Sequence, residues 1–216
     1  MEKSIVKELF LIAVAIVPFV YLGVNYNSMP QIVPTHFNAK GVADGFSDKN
    51  TLWIFLGLLV LLPYLLMAFL PKLDPKQNFD KFAGSFDKIR LVMLVFMSGI
   101  TCFIVHATIK GSFEMSIKWL LIGISIFIAI LGNYLQTVKP NYFLGIRTPW
   151  TLNNEVIWEK THRFGGKLMF YGGLLTAAAL FFVSKDYLLP VFLIGVLGSS
   201  LIPVFYSFFV SGTSKG

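Results

Sequence analysis

The polar segment from Asn141 to Arg163 holds the densest group of residues in this 216-residue chain that could do chemistry. It reads NYFLGIRTPWTLNNEVIWEKTHR and lies between two long apolar runs. Arg147 carries a fixed fork of N–H donors that suits a partner's oxyanion, a lipid phosphate or carbonyl groups of its own loop. Trp150 and Trp158 have the amphipathic shape common at membrane interfaces and in protein-binding sites. The segment is therefore predicted to present these three side chains either to the helical bundle itself or to a protein partner.

Histidines are the other candidates for chemistry, at His36, His106 and His162. Asp44 and Asp48 follow His36, so this group could form a metal contact, a pH-sensitive contact or hydrogen bonds that fix the loop. Catalytic motifs such as HExxH and GxSxG do not occur, and the lone Cys102 excludes an internal disulfide and a cysteine metal cluster. The sequence predicts a protein that is not an enzyme and needs no cofactor or metal.

Composition places the chain in a membrane. Only 13% of the residues are charged and the mean hydropathy is +0.72, whereas soluble domains carry roughly a quarter charged residues. Six apolar runs approach the roughly 20 residues that a helix needs to cross the hydrocarbon. They are Leu9–Val24, Leu52–Leu70, Leu91–Ile109, Trp119–Leu135, Leu168–Val183 and Leu188–Val210. Because these runs lack the alternation of barrel strands, they predict an all-α polytopic bundle with six transmembrane helices.

Basic residues predict the orientation of the bundle, because short loops rich in Lys and Arg stay in the cytoplasm. Thirteen of the 18 basic residues fall at the N-terminus, in the second loop with Arg90, in the fourth loop and at the C-terminus. Both termini are therefore predicted to be cytoplasmic. The net charge of +7 fits attraction to anionic inner-leaflet lipid. The lipid bilayer is the expected partner, and no nucleic-acid-reading motif is present.

The loops divide the chain into two predicted modules that together form one compact membrane unit. Residues 1–90 form a module with two spans and the outer loop 25–50, and residues 91–216 form a module with four spans and the cytoplasmic motif loop 137–167. In the outer loop, Asp44-Gly45 predicts a tight turn. The second loop, from Pro71 to Lys88, is predicted to be a solvated connector.

Local rules predict a structured turn and a short helix in the motif loop. Gly145 suits a tight bend, and Pro149 keeps the residue before it extended. Asn154 is a candidate N-cap for a short interfacial helix from Asn154 to Arg163. Gly165-Gly166 would end that helix.

Side-chain pairs follow from the same reading of the motif loop. Glu159 and Arg163 are spaced for an ion pair on the predicted helix. Asn133, at the end of the fourth span, is predicted to link helices or to orient the loop by hydrogen bonding.

These residues resemble a known family. Gly132-Asn133, Asn141, the string Gly145-Ile146-Arg147-Thr148-Pro149-Trp150-Thr151-Leu152, Val156, Trp158 and Arg163 are similar to the signature of the SdpI-like family. This is the immunity family against the sporulation-delaying killing toxin. Pro30, Pro34, His36-Phe37, Gly41, Asp44-Gly45 and Lys49 resemble the uncharacterised membrane module that often precedes that signature. The resemblance covers both recognisable loops and the six-span layout.

The resemblance implies a non-enzymatic protein of the bacterial cytoplasmic membrane that gives immunity to a secreted toxic peptide on the outer face. It also implies signalling, by holding a transcriptional repressor at the inner face. Candidate family-motif or partner-binding residues are Asn133, Asn141, Gly145, Arg147, Thr148, Pro149, Trp150, Trp158 and Arg163; outer-loop candidates are His36, Asp44 and Gly45.

A small transporter or channel is the alternative function, suggested by six spans with Asn133 and His106 inside them. Against it, the spans are predicted to hold no charged residue deep in the hydrocarbon, where ion and proton relays keep them. The oligomeric state is left open by the sequence.

Overall fold

Helices dominate the structure, a computed structural model that describes residues 5–38, 42–110 and 117–213. Six helical stretches are long and apolar enough to cross a membrane: Ile5–Ser28, Thr51–Leu73, Phe79–Lys110, Ile117–Leu135, Glu155–Phe182 and Lys185–Gly212. The predicted all-α polytopic bundle with six spans is therefore confirmed. Lys3, Lys40, Gly41 and Lys215, which entered the charge count or the resemblance, lie outside the described residues.

The α-helices of the described residues are α1 Ile5–Asn25, α2 Thr51–Leu56, α3 Leu62–Leu73, α4 Ala83–Lys110, α5 Ile117–Leu135, α6 Pro149–Asn153, α7 Glu155–Phe182 and α8 Leu188–Thr213. Short 3-10 turns occur at Tyr26–Ser28, Phe79–Phe82 and Lys185–Tyr187. A π-helical turn, Gly57–Leu61, joins α2 to α3 within the second span. Pro63 gives a physical reason for it, since proline has no N–H to donate to the carbonyl four residues earlier.

The outer loop contains a two-stranded antiparallel sheet, β1 Ile32–Phe37 and β2 Ala43–Asp48. The predicted tight turn at Asp44-Gly45 is wrong, because both residues lie within β2. Gly45 is opposite His36, and a Cβ at Gly45 would come within 2.9 Å of the His36 Cβ. The glycine therefore permits close strand approach. Val33 of β1 is fully buried with Leu22 and other core residues of the spans, which anchors the hairpin.

Two compact units make up the chain, Met1–Ala68 with Arg90–Leu120 and Phe69–Ile89 with Leu121–Gly216. The core of the first unit includes Leu22, Met29, Val33, Leu52, Leu56 and Val105. In the second unit α7 packs along α8, and the rings of Phe79, Phe82 and Phe86 have centroids 4.8 to 6.3 Å apart. The predicted modules 1–90 and 91–216, and their assembly as one compact unit, stay predictions.

A charged pair of the first unit, Glu8 and Arg90, lies within span helices, whereas the sequence placed Arg90 in the second loop. Arg90, assigned above to the second loop, lies in α4 with a side chain only 5% exposed. Its two terminal nitrogens donate to both carboxylate oxygens of Glu8 in α1, at 2.9 and 3.1 Å. The Tyr64 hydroxyl of α3 also donates to Glu8, at 3.3 Å. Pairing offsets the cost of burying each charge, so this cluster ties three helices together.

The predicted interfacial helix from Asn154 to Arg163 is not a separate element. Asn154 caps a helix as predicted, since its Oδ1 accepts from the N–H groups of Val156 and Ile157 at 2.9 and 3.2 Å. That helix is α7, which continues through Gly165-Gly166 to Phe182 without ending.

Close packing of α7 on α5 is the physical reason that these glycines do not end the helix. A Cβ on Gly166 would lie 2.6 Å from the carbonyl oxygen of Gly132, and a Cβ on Gly132 would lie 2.7 Å from the Met169 Cβ. Small residues at such crossings let helix backbones approach closely in membranes. The same distances account for Gly132 in the family resemblance.

Candidate functional site

The motif loop folds around the side chain of Asn141, which is completely buried. Its Oδ1 accepts from the N–H groups of Phe143 and Leu144 at 2.8 and 2.7 Å. Its Nδ2 donates to the carbonyls of Lys139 and Leu144 at 2.8 and 3.1 Å. An asparagine amide that is satisfied at both ends replaces water for a buried turn. Asn141 is therefore a structural organiser of the loop.

Polar side chains of the second loop form hydrogen bonds with the backbone of the motif loop. Asp74, 2% exposed, accepts from the Tyr142 N–H at 3.0 Å. Asn78, 8% exposed, donates to the carbonyl of Pro140 at 2.8 Å. Lys76 donates to the carbonyl of Leu152 at 2.5 Å. The prediction of a solvated connector is wrong for this part of the second loop, because Asp74, Lys76 and Asn78 each bond a backbone group of residues 140–152.

Trp158 lies in the protein core and not at the membrane interface. Its side chain is 0% exposed, and its Nε1–H donates to the Val138 carbonyl at 2.7 Å. Its ring stacks on the imidazole of His162, with the two ring centroids 3.9 Å apart. The prediction that Trp158 is an interfacial or partner-facing residue is wrong. The indole N–H, the one polar group of a tryptophan, usually finds a hydrogen-bond partner when the ring is buried, and here that partner is a loop carbonyl.

His162 connects α7 to the bend of the motif loop and is 1% exposed. Its Nδ1 lies 2.8 Å from the Trp158 carbonyl, which can only accept, so Nδ1 carries the proton. Its Nε2 lies 2.9 Å from the Ile146 N–H and accepts from it. These two partners together define a neutral imidazole with one tautomer. From the sequence, His162 was a candidate for chemistry, and its i, i+4 spacing from Trp158 predicted that the two side chains share one helix face.

Gly145 makes the approach of the loop to His162 possible. Its φ is +110°, a region that other residues rarely adopt, and a Cβ would press directly against His162 Nε2. The bend predicted at Gly145 from sequence occurs in the structure at this residue. The reason for glycine is both its backbone conformation and the space that the imidazole occupies.

The short helix α6 begins at a capping box. Thr148 is the extended N-cap, its hydroxyl accepts from the Thr151 N–H, and the Thr151 hydroxyl accepts from the Thr148 N–H at 2.9 Å. Pro149 occupies the first turn, where its lack of an N–H costs nothing. Trp150 is half-buried and its Nε1–H donates to Ser207 of α8 at 2.8 Å. Thr148 and Pro149 thus orient Trp150 onto the last span.

Two motif arginines remain exposed on the loop and on α7. Arg147 donates to the Tyr142 carbonyl at 2.7 Å, so one edge of its guanidinium is used within the loop. Arg163 is also exposed. The predicted Glu159–Arg163 ion pair is wrong, because Glu159 pairs with Lys139 at 2.9 Å.

Asn133 lies on the exposed face of α5, and the structure records no hydrogen bond from its side chain within the described ranges. Its predicted role in linking helices is therefore wrong for contacts among those residues. The buried face of α5 is occupied instead by small residues such as Gly132 and Ala129, which pack closely on α7.

The outer-loop candidates form a separate group on the hairpin. His36 and Asp44 are paired at 2.5 Å and remain largely exposed. Asp48 is engaged elsewhere: the backbone N–H of Asn50 and then the side chain of Gln31 hold the pKa of Asp48 below its usual value. Across residues 5–38, 42–110 and 117–213, no group of three His, Cys, Asp or Glu side chains could hold a metal ion. The pair fits the interpretation that it fixes the hairpin.

Replacing Trp158 with phenylalanine is expected to destabilise the protein by about 1–3 kcal/mol, because the buried Val138 carbonyl loses its donor. The matched change Trp150→Phe should cost less, since Trp150 is half exposed and its partner is a hydroxyl. Thermal unfolding of the purified protein in detergent measures both. Equal losses for the two variants would contradict the central position assigned to Trp158.

The fold and this buried motif loop define a class, a polytopic helical membrane protein that uses a family motif mainly to shape its inner loop. Residues 137–211 match the SdpI/YfhL protein family, and residues 13–71 match the Domain of unknown function (DUF1648). The chain is 26% identical over 210 residues to the Immunity protein SdpI of Bacillus subtilis (strain 168), across 96% of this chain and 95% of that protein. No solved structure matches. The predicted resemblance is confirmed: the chain is a multi-pass membrane protein similar to the SdpI/YfhL protein family, and its N-terminal part matches the expected module.

Proposed function

We propose that this chain is an integral membrane immunity protein that protects its cell from a secreted toxic peptide. The observation that carries the proposal is the match to a relative named an immunity protein, which extends over nearly the full length of both chains. A match of this extent includes the spans, the outer hairpin and the motif loop of this chain. The proposal includes no catalytic step.

We further propose that the inner face signals by holding a transcriptional repressor, as the family resemblance implies. The motif residues fall into two groups. Asn141, Gly145 and Trp158 are engaged inside the loop and give it its shape. Arg147 and Arg163 remain exposed, and they are the charged motif residues able to contact a partner.

The surface around these arginines supports a protein partner. Tyr142 is 44% exposed and Val156 is 55% exposed, so cationic and apolar groups alternate along the loop and the first turn of α7. Arginine and aromatic side chains are enriched among the residues that dominate binding energy at protein interfaces. A partner with carboxylates beside an apolar patch fits this surface.

Expression of the chain in a cell sensitive to the cognate peptide is expected to confer survival. Arg147→Ala should keep immunity but weaken repressor retention at the membrane by roughly thirtyfold, the effect of losing about 2 kcal/mol at a hot spot. Lys160→Ala is the control, because Lys160 is an exposed cation on α7 outside the motif. Survival is scored by killing assay and retention by fractionation of the tagged repressor.

Unchanged killing across a panel of related secreted peptides would contradict the immunity proposal. Equal repressor retention by wild type and Arg147→Ala, with survival intact, would contradict the signalling proposal alone.

A further inference from the structure

A groove of about 490 Å³ lies between α6, the start of α7 and the end of α8. It is lined by Pro149, Trp150, Asn153, Asn154, Ile157, Phe208 and Ser211. All of these residues belong to the second unit, and by the charge distribution they lie at the cytoplasmic end of the last span. The contacts described above for the motif loop leave this groove unused.

The lining is divided by chemistry. Trp150, Ile157 and Phe208 supply apolar surface, and the ring of Phe208 meets that of Trp150 edge to face at a centroid distance of 5.5 Å. Asn153 supplies a polar end, since its side chain is exposed and has no recorded hydrogen bond within the described residues. Trp150 adds only apolar ring surface to the lining, because its Nε1–H is already donated to Ser207.

The apolar side of the groove is continuous with surface that faces the bilayer. Phe205, Phe208 and Phe209 of α8 are 66%, 59% and 70% exposed. Aromatic side chains this exposed on a span are in contact with lipid. An acyl chain can therefore enter along α8 without leaving the hydrocarbon.

A positive charge lies beside the polar end. Lys76 donates to the carbonyl of Leu152, the residue directly before the groove-lining Asn153. No lining residue is acidic. A phosphate group in this position would meet an ammonium group and an amide donor, and anionic lipid is attracted to such basic sites at the cytoplasmic surface.

We propose that this groove binds one anionic phospholipid of the surrounding bilayer. The headgroup lies toward Asn153 and Lys76, and the first methylenes of an acyl chain lie on Phe208 and Trp150. The groove volume of about 490 Å³ lies in the range of roughly 300–1,000 Å³ typical of small-molecule sites, which gives room for a headgroup and the beginning of a chain while the remaining chain stays in the bilayer. The bound lipid would fasten the motif loop to the membrane surface, independently of any immunity role.

Filling the groove tests this proposal. Ser211→Phe adds an aromatic ring at a lining position, and Ser28→Phe is the matched control. Both serines donate to a carbonyl three residues earlier, at 2.7 Å, but Ser28 does not line the groove. Native mass spectrometry of the full-length protein, titrated with phosphatidylglycerol in detergent, counts the retained lipid.

Wild type and Ser28→Phe are expected to retain one more phosphatidylglycerol molecule than Ser211→Phe, or to retain the same number at about tenfold lower lipid concentration. A tenfold difference in affinity is the effect expected when the added ring excludes roughly two methylene groups of the acyl chain. Phosphatidylcholine should be retained less well by all three proteins. If Ser211→Phe fails to fold by circular dichroism, Asn153→Trp fills the same groove from α6.

Equal phosphatidylglycerol retention by the wild type and a folded groove-filled variant would overturn the proposal. That result is also the one expected if a soluble protein occupies the groove. Equal retention of phosphatidylcholine and phosphatidylglycerol by wild type would overturn the assignment of an anionic headgroup.

Discussion

Gly145→Ala is expected to unfold the motif loop and to lower stability by about 2–6 kcal/mol. A non-glycine residue held at unfavourable positive φ costs about 1–3 kcal/mol, and Gly145 has a φ of +110°. The added Cβ would also displace His162 from the Ile146 N–H, and a buried donor without a partner costs about 1–3 kcal/mol. The total is a large share of the roughly 5–15 kcal/mol that stabilises a typical domain.

Gly123→Ala is the matched control, because Gly123 lies in α5 and a Cβ there meets nothing within 4 Å. Alanine is a better helix former than glycine by up to about 1 kcal/mol, so this variant should be at least as stable as wild type. Thermal unfolding in detergent and the amount of protein in the membrane measure both variants. A Gly145→Ala protein with wild-type stability would rule out the proposed contact between the loop and His162.

Arg90→Met is expected to destabilise the first unit by about 3–5 kcal/mol, the cost of breaking a buried ion pair from one side. The change leaves the Glu8 carboxylate, whose side chain is 21% exposed, without the two donors that the guanidinium supplies. Tyr64 can still donate to Glu8, but a phenol does not neutralise a charge. The long apolar side chain of methionine keeps the packing near that of the arginine stem.

Two comparisons separate the ion pair from a general effect of losing an arginine. Arg163→Met removes an exposed arginine of α7 and should change stability by less than about 1 kcal/mol. The double variant Glu8→Gln with Arg90→Met removes both charges and should regain most of the lost stability. A double variant as unstable as Arg90→Met alone would disprove a charge-based cost.

The spans and the N-cap at Asn154 could be predicted from sequence because they depend on local chemistry. An apolar run of about 20 residues predicts a transmembrane helix by its length and composition alone. An asparagine whose side chain reaches the N–H groups two and three residues later needs no information from elsewhere in the chain. The bend at Gly145 was predictable for the same reason.

The errors arose where distant residues decide the outcome. Gly165-Gly166 has the same local sequence whether it ends a helix or packs against another, and only the approach of Pro203 to Gly165 and of Gly132 to Gly166 distinguishes the two. Asp74 and Asn78 look like solvated loop residues, yet their partners are Tyr142 and Pro140, 68 and 62 residues later.

Arg90 was misassigned for a similar reason, since a basic residue near the end of an apolar run counts as a loop charge until a buried partner is known. Glu8, that partner, is 82 residues away in sequence. Which residues have a buried partner is therefore the information that was missing from the sequence.

Because α7 is continuous, it connects the motif loop directly to the rest of the fifth span. Its 28 residues extend about 42 Å at 1.5 Å per residue, longer than the roughly 30 Å of hydrocarbon. Gly165-Gly166 is packed within α7 and does not interrupt it, and His162 of α7 accepts from the Ile146 N–H. A displacement of α7 would therefore be expected to move the bend of the motif loop. Arg147, the residue directly after Ile146, lies next to this contact, so the exposed arginine of the motif loop is tied in position to a helix long enough to cross the hydrocarbon.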